Sequence, residues 1–161
     1  MINKLHLAMI ELYSGDAKRI QHFCKVHSYA KLIAETENVD EKCRFIIETA
    51  ALTHDIGIHL CEEKYGNCNG KLQEKEGPAI AEKLLAKLGF DRDISDRVQY
   101  LIAHHHTYSN IDGIDYQILV EADFLVNIME DNLAKDAALK AYQNIFKTAC
   151  GKMICREMFD I

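Results

Sequence analysis

A 3.6-residue rhythm of apolar side chains, broken by few helix stoppers, constrains this chain more than any other feature. His22, Val26, Tyr29 and Ile33 recur at i, i+4, i+7 and i+11. Ile94, Val98, Leu101, Ile102 and His105 fall at i, i+4, i+7, i+8 and i+11. Such spacing lines up one face of a helix. One proline and eight glycines punctuate the 161 residues, and Val, Ile and Thr seldom alternate with polar neighbours as a half-buried strand requires. The expectation is an all-α compact helical bundle, one domain over residues 1–161 with a single core.

Capping residues divide the chain. Residues 3–13 read as a short helix, Asp16 caps a second helix running to Glu37, and Asp40 caps a third over 41–56. From Gly57 to Gly77 the periodicity stops in a stretch rich in turn formers, including Tyr65-Gly66-Asn67-Cys68-Asn69-Gly70-Lys71. It reads as a long loop of the kind that borders functional sites. Pro78 suits the first turn of a helix that Gly89 stops, and another helix starts near Asp91 or Asp93. Asp115 reads as the cap of a nearly all-apolar helix. An amphipathic helix over 134–150 and an apolar tail with Met158 and Phe159 follow. That tail packs on the core or forms a dimer face, which leaves a homodimer open.

Net charge of −6 offers no basic face to a polyanion, so nucleic-acid polymers and anionic membranes are excluded as partners while a single nucleotide is not. No apolar run approaches the roughly 18 residues of a membrane span, and no signal-type leader opens the chain. A cytoplasmic location is expected. The six cysteines include no C-x-x-C pair and read as reduced, packed thiols. His59, Cys61 and Cys68 could in principle bind zinc, but their spacing matches no familiar knuckle.

The candidate chemistry begins at Ala50-Ala51-Leu52-Thr53-His54-Asp55-Ile56-Gly57. Ile47, Ala50 and Ala51 lie at i−7, i−4 and i−3 from His54, so the imidazole shares a buried stripe. Gly57 is a natural C′ residue, which puts Asp55 in the last helical turn, where the macrodipole disfavours a carboxylate. Hydrogen bonds, a basic side chain or a metal ion held by neutral imidazole and carboxylate would offset that cost. Other helices carry companions. His22 lies on an inward edge with Arg19 close by, and His27 is rotated away. Within His104-His105-His106 the middle ring points inward, its neighbours about a hundred degrees to either side. Glu121 and Asp123 interrupt the apolar helix on opposite faces, and periodicity does not choose between them.

In order and spacing, these segments resemble the HD superfamily of metal-dependent phosphohydrolases, which are all-helical. The matching segments are Arg19-Ile20-Gln21-His22, Thr53-His54-Asp55-Ile56-Gly57, Ile102-Ala103-His104-His105-His106 and Glu121-Ala122-Asp123-Phe124-Leu125. The resemblance covers residues 16 to about 130, leaving 131–161 as a C-terminal helical extension. It selects Asp123, which follows Ala in an Ala-Asp-x-Leu pattern. It implies that His22, His54, Asp55 and Asp123 hold one divalent cation, from among Mn, Fe, Co, Ni, Zn and Mg. Imidazole and carboxylate ligands suit such ions, which activate water and polarise phosphoryl oxygens.

Asp55, His105 and His106 are then the catalytic candidates, and Arg19, Lys71 and Gln73 the substrate-binding ones. Two departures from the family pattern stand out. Gln73 occupies the position at which dinuclear relatives carry a histidine, so a single metal is expected, with Glu74 or Glu76 as substitutes for that ligand. No glutamate follows His-Asp closely, as one does in the nucleotidase and guanosine-tetraphosphate hydrolase branches; His59 stands there instead. The implied activity is hydrolysis of a small phosphate ester or anhydride, nucleotide-like, by metal-activated water. The alternatives are a non-catalytic metal-binding or ligand-sensing module and a dinuclear iron oxygenase.

Overall fold

Nine α-helices and no strand make up the computed structural model, which describes all 161 residues. Helices α1 (Ile2–Leu12), α2 (Ala17–Thr36) and α3 (Glu41–Thr53) follow the expected divisions. Asp16 accepts from the Arg19 amide and Asp40 from the Cys43 amide, each satisfying a free donor at a helix start. Next come α4 (Ile58–Tyr65), α5 (Gly70–Leu88), α6 (Arg92–Ile102), α7 (Ile114–Glu130), α8 (Lys135–Asn144) and α9 (Ala149–Phe159). Gly89 ends α5 with φ +81°, a left-handed conformation suited to glycine.

The bundle is organised around α7, which is buried over most of its length and packs on α2 and α3. Helix α3 also packs against α6 and α1, and α5 covers α6. One continuous apolar core runs from Leu5 on α1 through Val26, Ile47, Leu101 and Leu119 to Cys155 on α9. Each fully buried Leu or Ile in it contributes about 1.5–3 kcal/mol. All six cysteines are free thiols, and no helix is long and apolar enough to cross a membrane.

Several expectations are corrected. Most of the expected 57–77 loop is helix: α4, then a short link, then α5 beginning at Gly70, where the Asn69 side chain accepts from the Leu72 amide. Pro78 therefore sits inside a helix already started by that cap, at the cost of one backbone hydrogen bond, and not at its first turn. Gly57 is not a left-handed cap, since its φ is −80°. It is needed for close approach: a Cβ there would lie 3.0 Å from the Gly77 nitrogen.

Helix α3 ends at Thr53 instead of 56, so His54 and Asp55 occupy the turn that follows it. Asp115 does not cap α7, whose N-cap is Gly113; Arg97 draws both Asp115 oxygens at 2.7 Å. The single helix expected over 134–150 is two. The buried Glu121 carboxylate breaks it, accepting from the amides of Lys147 and Thr148 at 2.6 and 2.9 Å, so that α9 starts anew with Thr148 as its cap.

Candidate metal centre

His22 projects from the inward face of α2 and Asp123 from α7, while His54 and Asp55 sit in the turn after α3. Packing of α2, α3 and α7 brings the four together. His22 Nε2 lies 3.2 Å from His54 Nε2, 3.3 Å from Asp123 Oδ1 and 3.5 Å from Asp55 Oδ2. His54 Nε2 lies 3.5 Å from both Asp55 Oδ2 and Asp123 Oδ1. His105, in the turn after α6, faces the other Asp55 oxygen, Oδ1, at 3.5 Å.

The far nitrogens decide what the near ones can do. His54 Nδ1 donates to the Ala51 carbonyl at 3.0 Å and His105 Nδ1 to the Ile102 carbonyl at 2.8 Å. His22 Nδ1 is 3.0 Å from a Glu130 oxygen. A carbonyl or carboxylate can only accept, so each Nδ1 carries the proton and each Nε2 turns a lone pair inward. Two lone pairs and two carboxylates then face one another, an arrangement that calls for a cation. The buried side-chain polar atoms left without a hydrogen-bond partner are His105 Nε2 and Asp123 Oδ1, both here. Orphaned acceptors on imidazole and carboxylate fit a divalent ion.

Electrostatics agree. Burial opposes a charged imidazole at His54, yet Asp55 and Asp123 push its pKa up to about 9. Burial likewise opposes charge on His22, and the nearby carboxylates of Asp123 and Asp55 outweigh that and raise its pKa. For Asp55 and Asp123 burial pushes upward, but the surrounding histidines hold both carboxyls below the usual range. The pocket thus takes up positive charge, whether as protons or as metal.

A second group adjoins the first. Asp55, His105 and His106 have ligand atoms within 4.8 Å of one another, as do His22, His54 and Asp123. Asp55 lies between the two, one oxygen toward each. Burial and the nearby His105 push His106 down to about 4. His106 Nε2 is 2.8 Å from Gln73 Oε1, and Gly70 leaves room for its ring, since a Cβ at position 70 would lie 2.8 Å from it. Neither Glu74 nor Glu76 joins this group. Glu74 accepts from the His106 amide and the Thr107 hydroxyl, and Glu76 from Lys64 and Tyr65.

A cavity of about 530 Å³ opens onto His22 and Asp55, with Arg19, Lys18, Gln73 and Asn127 among its lining residues. Arg19 reaches it already paired, bonded to Asp16 at 2.6 Å and to Glu62 at 2.5 Å. Lys71 lies elsewhere, on a wider cleft with Tyr65 and Tyr108 that meets the site only at His106. His59 bonds to Asp16 at 3.2 Å beside Tyr13 and does not line the cavity, and Cys68 does so without joining a ligand group.

Two contacts had not been anticipated from the residues alone. Glu130 stands seven positions after Asp123, on the same face of α7, and that spacing was the available signal. Tyr13 donates to the Asp55 carbonyl at 2.8 Å and pins the His-Asp turn, a contact that no local pattern announces.

Residues 19–148 match the family model described as the HD domain. Among solved structures, the crystal structure of a predicted HD superfamily hydrolase from an uncultured Thermotogales bacterium is similar in fold. It is 24% identical, the match covers 98% of this chain and 84% of that chain, and the TM-score is 0.70. No curated protein matches the sequence.

Proposed function

This chain belongs to the HD domain family, and from that premise we propose that it is a metal-dependent phosphohydrolase acting on a small phosphate ester or anhydride, nucleotide-like in character. The observation that carries the reading is the convergence of His22, His54, Asp55 and Asp123, with inward lone pairs and an orphaned Asp123 oxygen, beside an open cavity. These four would hold one divalent cation. When bound, that ion supplies a Lewis acid that polarises a phosphoryl oxygen and makes water nucleophilic at neutral pH.

The chain's own residues do the rest. Asp55, at the cavity wall, orients the attacking water and accepts its proton on a carboxylate oxygen. His105 and His106 border the reacting group, with Gln73 Oε1 holding the His106 ring in place. Lys18 and Arg19 face the phosphate across the cavity, and Asp16 and Glu62 temper the Arg19 charge. Substrate binding by Arg19 and Gln73 fits this cavity. Lys71 would reach only a substrate long enough to extend into the neighbouring cleft.

One observation favours a second cation. His105 Nε2 is buried without a partner beside Asp55 Oδ1 and His106, so the second group can take an ion of its own and share Asp55 with the first. Metal content per chain, measured together with phosphate release from a panel of nucleotides and other phosphate esters, tests the whole reading. Wild type is expected to carry one or two divalent ions and release phosphate, and Asp55→Ala to release none. Bound metal with no release from any compound would leave a sensing module. Two irons with oxygen-dependent turnover would indicate an oxygenase.

A further inference from the structure

The three inward histidines solve the same problem in different ways. Each must keep its proton on Nδ1 so that Nε2 stays free. His54 and His105 follow helix ends, where the last carbonyls have no intrahelical partner, and their rings use Ala51 and Ile102. His22 cannot do this. It lies inside α2, where the carbonyls three and four residues back are taken by the helix's own amides. Its Nδ1 needs an acceptor from another element.

Glu130, the last residue of α7, supplies it. Its Oε2 lies 3.0 Å from His22 Nδ1, and its Oε1 accepts from Lys25 Nζ at 2.9 Å. The two oxygens therefore serve different partners. Lys25, one turn beyond His22 on α2, occupies only Oε1 and leaves Oε2 to the ring. The Glu130 side chain is 13% exposed and that of His22 11%, so water competes little for the bond between them.

We propose that Glu130 is a positioning residue for the metal centre, holding His22 in the Nδ1-protonated form with Nε2 aimed at His54, Asp55 and Asp123. The inference rests on reading that site as a cation site and adds a residue to it. A carboxylate behind a ligating imidazole fixes the tautomer and strengthens the ligand. Helix α7 thus provides both a ligand, Asp123, and the support for a ligand on α2.

The test is calorimetric titration of Mn²⁺ into the metal-free full-length chain, with thermal unfolding of the same metal-free proteins as a check on folding. Glu130→Ala is expected to weaken Mn²⁺ binding by about 10–100-fold, Glu130→Gln to recover much of that loss because its amide oxygen still accepts, and Lys25→Ala to stay within about threefold of wild type. Glu130→Met fills the same volume without an acceptor and carries the test if Glu130→Ala does not fold. Wild-type affinity in the acceptor-free variant would overturn the proposal. So would an equal loss in Lys25→Ala, which would make Glu130 only a staple between helices. Wild type that binds no Mn²⁺ would overturn the cation site itself, and this inference with it.

Discussion

His22 and His54 bring their Nε2 atoms to 3.2 Å of each other, although both rings have committed their Nδ1 protons elsewhere. Two lone pairs do not bond across that gap; a proton or a metal ion between them closes it, and the metal does so for all four ligands at once. Binding at the native site must then stabilise the fold. At a free Mn²⁺ concentration of 100 times Kd the gain is about 2.7 kcal/mol. For a chain of this size that corresponds to a rise in Tm of roughly 5–10 °C. Thermal melts with and without Mn²⁺ check this, and Asp123→Ala is expected to abolish the shift.

The contact between Gly57 and Gly77 sets how closely the His-Asp turn can approach α5. A methyl group at position 57 would meet the Gly77 backbone at 3.0 Å, and backbone cannot swing aside as a flexible side chain can. Gly57→Ala is therefore expected to destabilise the protein by about 1–3 kcal/mol through overpacking. Urea unfolding midpoints read this directly, and a midpoint equal to wild type would contradict it.

Arg97 clamps the start of α7 and the turn before it. Its guanidinium bonds both oxygens of Asp115 at 2.7 Å and both of Asp112 at 2.8 and 3.0 Å. Asp115 is buried, so Arg97→Ala strands a carboxylate in the interior. The expected loss is about 3 kcal/mol. Arg97→Ala combined with Asp115→Asn should lose less than Arg97→Ala alone, which a comparison of unfolding free energies would reveal.

Stability should carry an acid-sensitive component from His27. Burial lowers its pKa below 6.5, outweighing the carboxylate of Glu48 on α3 at 3.0 Å; His6 on α1 and Lys31 on its own helix lower it further. The unfolded chain therefore takes up a proton on this ring before the folded one does. The contribution is present above pH 6.5 and is lost as pH falls from there through the lowered folded value. Wild type should lose stability relative to His27→Gln between about pH 7 and pH 5. Unfolding midpoints for both proteins across that range would show it, and parallel curves would refute it.

Much of the scaffold could be read locally. Asp16, Asp40 and Gly89 mark helix ends because capping depends on neighbours within four residues. The same locality misled at Pro78 and Gly57. A proline suits a helix start, but Asn69 had already started α5; a glycine suits a helix stop, but here it makes room for another backbone. Asp115 looked like a cap because Arg97, eighteen residues away, was invisible to local reasoning.

Residue chemistry and helical period alone determined that the chain would be all-helical and that His22, His54 and His105 would point inward, with Asp55 beside His54. Both follow from the repeat of the helix and the preference of apolar side chains for burial. Tertiary packing decided which atoms meet. It separated Asp123 at the centre from Glu121 at the start of α9, set His105 and His106 beside Asp55, and put Glu130 behind His22. Those pairings depend on how far each helix is rotated and shifted against partners up to about a hundred residues away, and no periodicity within one helix encodes that angle.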